Sequence, residues 1–159
     1  EEIEHFINSV PDDVPFRQPL KAFGKAEFIT GVRLAGQLAG LAGLTPAFLF
    51  LHTCVYMVKP EFQRMGLSKQ LTQNLLRYAR KKRFSFIVLT VSKENRLAIN
   101  AYRGNGFKIY CETPREYDMA FSLNRKGDFI CKFLPFVFAF FRLVVTPSWT
   151  FIRVHWTRS

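Results

Sequence analysis

The chain has 159 residues, and its 23 Lys and Arg against 12 Asp and Glu give a formal net charge of +11. This length suits one domain with a sizeable core, and the charge indicates an anionic partner: a phosphorylated ligand, a membrane surface or nucleic acid. The three cysteines, Cys54, Cys111 and Cys131, have apolar neighbours and no metal-ligand spacing. They predict reduced, buried thiols in a cytoplasmic protein rather than a disulfide scaffold.

The first thirty residues predict little regular structure. Residues 1–10 predict one short helix, after which Pro11, Pro15 and Pro19 break the pattern. The first twenty residues lack an apolar run, so no signal peptide is indicated. Glu1 in place of methionine is typical of a fragment or a processed form.

Strands dominate the next part of the chain. Residues 31–34 and 38–44 predict a hairpin that turns at residues 35–37. Thr45-Pro46 predicts a turn, because proline is a strong breaker of regular structure. Residues 48–58 are rich in aromatic and β-branched residues, which is typical of a central strand.

A helical period begins at Leu67, since Leu71 and Leu75 follow at a spacing of about 3.6 residues. This helix ends in the basic run Arg80-Lys81-Lys82-Arg83, which most simply complements the helix C-terminus. Further along, the sequence predicts a buried strand at 84–91, a helix at 95–104, and strands at 106–111 and 116–123. The order β-β-β-α-β-α-β-β predicts an α/β protein with a mixed central sheet and crossover helices.

The chain changes character after residue 123, so we divide it into a domain of residues 1–123 and an aromatic, basic C-terminal extension of residues 124–159. Residues 124–128 predict a polar hinge, and seven of the eighteen Phe and both Trp lie beyond it. Residues 133–141 are apolar but too few to span a membrane as a helix, which takes about 20 residues. Two interpretations stay open: a membrane interface, or packing on the sheet or on a second subunit.

The junction between the central strand and the following helix is the first candidate site. Pro60 ends strand pairing, and Gly66 allows a close backbone approach or a positive φ. Ser68 is placed to cap the helix. The free N–H groups and the dipole of a helix start favour an anion, so we expect a phosphate group there.

Two motifs resemble the GNAT superfamily of N-acetyltransferases. The first is the loop Gln63-Arg64-Met65-Gly66-Leu67-Ser68, which follows Val58-Lys59-Pro60. The family has Gly or Ala at the last loop position, where this chain has Ser68. The second motif is the family's Asn-x-x-Ala-x-x-x-Tyr-x-x-x-Gly-Phe, matched by Asn95, Ala98, Tyr102, Gly106 and Phe107. The resemblance extends over residues 28–123 and implies a GNAT-like sheet with a shortened N-terminal part.

The resemblance implies an acetyl-CoA-dependent N-acetyltransferase, with acetyl-CoA as co-substrate and an amine acceptor that the sequence does not identify. The loop backbone would hold the pyrophosphate, and the end of the central strand would pair with the pantetheine arm. Tyr102 would lie near the sulfur and protonate the leaving thiolate. Backbone N–H groups at the strand end would polarise the thioester carbonyl. The implied cofactor-binding residues are Met57, Val58, Gln63, Arg64, Met65, Gly66, Leu67, Ser68, Asn95 and Tyr102.

The general base is left open. His52 and Glu61 are the candidates near the central strand, although His52 also suits a structural role and Glu61 a solvated loop position. Glu27, Tyr117 and an ordered water are further candidates. Asn95 is as well suited to cap its helix as to touch a cofactor.

Two other functions compete with acetyl transfer. One is a CoA-binding or regulatory module without chemistry, which the short N-terminal part and the lack of an evident base motivate. The other is a peripheral membrane protein that works through residues 128–159. Nucleic acid binding is disfavoured, because neither an aromatic platform nor a recognition helix accompanies the basic run. The expected location is the cytoplasm, with membrane association left open.

Overall fold

The computed structural model describes residues 1–10, 24, 26–47 and 50–133. A single turn of 3-10 helix, Pro60–Phe62, follows the third strand, and residues 125–133 are helical and are called α4 here. The other elements, in chain order, are α1 (Glu2–Asn8), β1 (Phe28–Leu34), β2 (Gln37–Ala47), β3 (Phe50–Val58), α2 (Leu67–Lys81), β4 (Phe86–Ser92), α3 (Arg96–Gly104), β5 (Lys108–Glu112) and β6 (Glu116–Ser122).

The described strands form one six-stranded sheet in the order β1-β2-β3-β4-β6-β5. Neighbours pair antiparallel except β3 and β4, which are parallel. A parallel pair needs a crossover connection, and α2 supplies it. The mixed α/β sheet with crossover helices is therefore confirmed.

The β1–β2 hairpin turns through two residues with positive φ, Ala35 at 48° and Gly36 at 80°. Such a turn matches the right-handed twist of the flanking strands, which explains the tight connection. The prediction of a turn at Thr45-Pro46 was wrong, because β2 runs on through both residues to Ala47. There Pro46 pairs with Leu51 of β3, while the pairing with β1 has already ended at Leu44. On the β1 side, this last part of β2 is therefore an unpaired edge strand, and a proline is tolerated at such an edge.

Helices cover both faces of the sheet. The buried face of α2 contributes Leu71 and Leu75 to the main core, and α3 adds Ile99. On the opposite face, α1 packs its Phe6 and Ile7 on the first three strands. A third cluster lies farther along that opposite face, where Ile130 and Cys131 of α4 pack against Phe86, Val88 and Ala120.

A β-bulge in β3 decides which of its side chains faces which layer. Gly43 of β2 pairs with Val55, whereas the next residue, Leu44, pairs with Thr53, so Cys54 is an extra residue in the backbone of β3. An extra residue reverses the alternation of side chains and increases the local twist. As a result, Leu51 joins the α2 layer, whereas Val55 joins the α1 layer.

The predicted polar hinge at residues 124–128 was wrong, because the chain enters α4 there. The Asn124 side chain accepts a hydrogen bond from the Gly127 N–H at 2.9 Å, as a helix-capping residue does. Gly127 also packs against the Ser85 carbonyl, which itself accepts the Leu123 N–H at 2.9 Å. These contacts fix the start of α4 against Ser85, the residue that directly precedes β4.

The cysteines were predicted to be buried, and two of them are not. Cys111 and Cys131 are free thiols with intermediate exposure, because each lies near an edge of the fold rather than in the main core. Most of the predicted apolar segment at residues 133–141 lies outside the described residues, as do Pro11, Pro15 and Pro19. Within the described part of the chain, no helix is long and apolar enough to span a membrane.

We expect Gly127→Ala to lower the free energy of unfolding by about 2 kcal/mol, because overpacking a close contact costs of this order. A Cβ at this position would lie 2.0 Å from the Ser85 carbonyl oxygen. Urea denaturation followed by circular dichroism measures the change. Gly104→Ala is the matched control, because its Cβ meets nothing within 4 Å and alanine favours a helix. Equal stability of the two variants would contradict the docking of α4.

Candidate active site

The junction between β3 and α2 is an exposed loop with two left-handed residues. Arg64 has a φ of 64° and Gly66 a φ of 76°. Gly66 occupies the N-cap position of α2 and no side chain caps the helix there. The prediction that Ser68 caps α2 was wrong, because Ser68 lies inside the first turn. Its carbonyl instead accepts a hydrogen bond from the Tyr56 hydroxyl.

Five consecutive backbone N–H groups, from Arg64 to Ser68, have no hydrogen-bond acceptor among the described residues. The flanking groups are satisfied: the Gln63 N–H reaches the Pro60 carbonyl at 3.2 Å, and the Lys69 N–H reaches the Gly66 carbonyl at 3.0 Å. Free donors at a helix start, joined by the positive end of the helix dipole, form an anion-binding site. An elongated anion with several oxygens matches a row of this length.

Beside this loop, β3 and β4 separate. They pair through Leu51 with Ile87 and through His52 with Val88, and both strands then continue without further pairing to each other. The segment from Thr53 to Val58 is bonded to β2 on its other side only. Its open edge, which includes Met57 and Val58, therefore presents backbone groups to the gap. The side-chain Nε2 of Gln63 donates to the Val58 carbonyl oxygen at 3.5 Å and so connects this edge to the loop.

Tyr102 lies in α3 and is 7% exposed. Its ring packs edge-on against Tyr56, with ring centroids 5.2 Å apart, and against Phe107 at 5.8 Å. Burial, with a smaller contribution from the neighbouring Tyr56, raises the pKa of the Tyr102 hydroxyl far above its usual value. The hydroxyl is therefore protonated, and no hydrogen bond to it is found among the described residues.

Tyr56 is a residue of this region that the sequence did not single out. Its hydroxyl lies 2.8 Å from the Thr72 hydroxyl, besides its bond to the Ser68 carbonyl. Burial is the main cause that raises the pKa of Tyr56 to about 12. Because both of its hydrogen bonds go to α2, Tyr56 ties the separated end of β3 to the first turns of that helix.

Asn95 caps α3: its side-chain oxygen accepts the Ala98 N–H at 3.0 Å. Of the two roles left open for this residue, the capping role is therefore observed.

His52 lies where β3 and β4 separate. It pairs with Val88, so the two side chains share the sheet face on which α4 packs. Burial lowers the pKa of the His52 imidazole, although part of the residue reaches solvent, and the carboxylate of Asp118 opposes this effect. Asp118 is buried on β6 and accepts a hydrogen bond from the Thr90 hydroxyl at 2.7 Å. Neither Asp118 nor Thr90 was a candidate from the sequence.

The other candidate bases have different surroundings. Glu61 is exposed in the turn of 3-10 helix. Glu27 accepts a hydrogen bond from the Tyr78 hydroxyl at 2.7 Å, near the far end of α2. Tyr117 lies under the Lys93 ammonium, 4.8 Å from its ring centre. Each of these two side chains is thus engaged in a contact with another residue of the fold.

The family model described as "Acetyltransferase (GNAT) family" matches residues 2–107. The mycothiol acetyltransferase of Thermobifida fusca is 30% identical over 109 residues, which are 62% of this chain and 34% of that protein. The chain thus spans about a third of the length of that curated relative.

Solved structures of N-acetyltransferases share the fold. The ribosomal-protein-S18-alanine N-acetyltransferase of Escherichia coli is 21% identical with a TM-score of 0.63, covering 77% of this chain and 86% of that one. The PaiA N-acetyltransferase of Thermoplasma acidophilum, solved in complex with coenzyme A, is 21% identical with a TM-score of 0.57, covering 60% of each chain. Together with the matched residues, the sheet and the two helices that carry the motifs show that the chain belongs to the acetyltransferase (GNAT) family.

Proposed function

We propose that the protein transfers an acetyl group from acetyl-CoA to an amine by direct attack. The observation that carries this proposal is the row of five N–H groups from Arg64 to Ser68, free of acceptors among the described residues and adjacent to the open edge of β3. The co-substrate supplies the acetyl thioester. The catalytic unit extends over residues 1–123, because every group to which we give a role lies within it.

The loop is suited to hold the diphosphate of coenzyme A. The N–H groups from Arg64 to Ser68 donate to its oxygens, and the exposed surface of Gly66 leaves room for the approach, since nothing lies within 4 Å of a Cβ built there. Gln63 fixes the loop to the end of β3 through the Val58 carbonyl. The open edge at Met57 and Val58 then pairs with the amides of the pantetheine arm, as one strand pairs with another.

Tyr102 is the proton donor in this proposal. The amine nitrogen attacks the carbonyl carbon, a C–N bond forms and the C–S bond breaks, so the sulfur gains a negative charge. The Tyr102 hydroxyl donates a hydrogen bond to that sulfur as the charge develops. Burial penalises a thiolate in the same space just as it penalises the phenolate, and the proton can therefore pass to the sulfur. After the products leave, Tyr102 regains a proton from water and His52 releases the one it took from the amine.

His52 is the base that accepts the proton from the attacking amine. Burial lowers the pKa of His52, so the ring is neutral and can accept a proton at neutral pH. Asp118 lies close enough to stabilise the resulting imidazolium. Glu61 is less suited, because its carboxylate is exposed in the loop before α2, whereas His52 lies at the point where the strands separate.

The proposal is tested by following thiol release from acetyl-CoA with a panel of amines: small metabolite amines, peptide N-termini, lysine and aminosugars. We expect release to depend on one acceptor class and coenzyme A to bind in calorimetry. Absence of coenzyme A binding would refute the proposal. Binding without turnover on any amine would instead indicate a binding module.

We expect Tyr102→Phe to lower kcat by roughly a hundredfold or more, because loss of a positioned proton donor costs of this order. Affinity for coenzyme A should change little, since the ring is retained. Tyr56→Phe is the matched control: it removes a neighbouring hydroxyl that bonds α2, and should lower stability rather than kcat. Similar kcat losses in the two variants would contradict the role of Tyr102.

The pH dependence tests His52. Because burial lowers the pKa of His52, its neutral form should persist below the ordinary value of 6.5. The acid limb of kcat/KM should therefore lie below pH 6.5, with activity lost as pH falls and the ring becomes protonated. His52→Gln should lower kcat/KM and remove that limb. An unchanged limb in His52→Gln would assign the titration to another group or to a water.

For Asn95→Ala we predict a loss of about 1 kcal/mol in the free energy of unfolding, the usual value of an N-cap. Asn95→Asp retains the accepting oxygen and should restore most of the loss. Chemical denaturation measures both, and calorimetry with coenzyme A provides the comparison. A tenfold or greater loss of affinity at unchanged stability would instead place Asn95 on the co-substrate.

A further inference from the structure

Two basic segments that are far apart in the sequence lie at the same end of the sheet, beside the start of β4. The run Arg80-Lys81-Lys82-Arg83 ends two residues before Ser85, and all four of its residues are exposed. Ser85 in turn contacts the start of α4, through its bond to the Leu123 N–H and its packing on Gly127. The exposed residues Arg125 and Lys126 therefore lie at the same end of the sheet as the run.

The outward face of α4 is apolar. Phe129 is 65% exposed and Phe133 is 47% exposed, and their ring centroids are 4.8 Å apart. The inward face, with Gly127 and Ile130, packs on the sheet, so the two phenylalanines point away from the third core cluster. The exposed charged residues of α4 are the cations Arg125, Lys126 and Lys132 and one anion, Asp128, which leaves a net positive charge around the rings. Adjacent exposed aromatic rings with a cationic rim indicate an interaction surface rather than chance exposure.

We propose that this surface, formed by the outward face of α4 and the run Arg80–Arg83, binds an anionic membrane surface. Phe129 and Phe133 enter the interface between headgroups and acyl chains, while the cations around them pair with lipid phosphates. Both features of the surface favour membrane binding, because burial of apolar rings and attraction of cations to anionic lipid both contribute to the binding free energy. The net charge of +11 gives the whole chain the complementary sign.

The cationic run lies away from the loop that is proposed to hold the coenzyme. The run Arg80–Arg83 follows the C-terminal end of α2, whereas the loop at Gly66 precedes its N-terminal end. A helix of 15 residues places these ends about 22 Å apart. The coenzyme loop is thus separated from the cationic run by the length of α2.

Co-sedimentation of the full chain with lipid vesicles tests the proposal. We expect binding to vesicles of phosphatidylcholine mixed with phosphatidylglycerol, and little binding to phosphatidylcholine alone. Binding should weaken as salt is added, because ions screen the attraction between exposed charges and the lipid. Equal binding to the neutral and the anionic vesicles would overturn the proposal.

Variants assign the binding to this surface. Phe129→Ser with Phe133→Ser should weaken partition about tenfold or more, since each ring loses apolar burial. Arg80→Ser with Lys81→Ser should weaken it about 25-fold, at about fivefold for each cation near an anionic surface. The matched controls are Leu97→Ser, a 52% exposed apolar residue on α3, and Arg115→Ser, an exposed cation at the opposite end of β6. Neither control should change partition.

Circular dichroism melts confirm that each variant remains folded, so that a lost fold is not mistaken for lost binding. Unchanged partition of the folded phenylalanine variant would overturn the proposal, because residues outside this surface would then hold the membrane. Binding of the wild-type chain to a homopolymer RNA, lost in the same variants and without vesicle binding, would also overturn it. Acetyl transfer is measured separately, so its failure and that of membrane binding are distinguishable.

Discussion

The separation of β3 from β4 after His52 is the constraint on which the rest of the structure depends. β4 is paired along its whole length with β6, and β3 is paired with β2. Both strands therefore keep their place in the sheet although only two residue pairs join them to each other. The bulge at Cys54 adds local twist to β3 where the strands part. A sheet normally satisfies its own backbone groups, and an interior edge left open in this way is available to a ligand.

Much of the architecture could be predicted from the sequence, because its signals are local. Helical spacing of leucines marked α2, and the motifs at Gly66 and Tyr102 marked the loop and α3, as the structure confirms. The predictions failed where the local structure depends on residues far away in the sequence. Pro46 remains in a strand because β1 no longer pairs beside it. The start of α4 is fixed by Ser85, some forty residues away.

The same limit applies to the candidate site. Asp118 and Thr90 are brought together only by the antiparallel register of β4 and β6, and the link of Tyr56 to α2 depends on the bulge in β3. Contacts of this kind cannot be predicted from the spacing of residues in the sequence. The packing around Tyr102 is likewise visible only in the structure. From the helical periodicity alone, Tyr102 would be interpreted as an ordinary core tyrosine. What the sequence did indicate correctly was the position of the loop beside the helix start.

The most direct measurement of the central claim is a titration of the ¹⁵N-labelled protein with coenzyme A, followed by amide NMR. If the free N–H groups hold the diphosphate, the amide signals from Arg64 to Ser68 should shift most and saturate together. The signals of Lys81 and Lys82 should stay in place, because they lie at the opposite end of α2 from the loop. Saturable binding that leaves the signals of Arg64 to Ser68 unmoved would contradict the account.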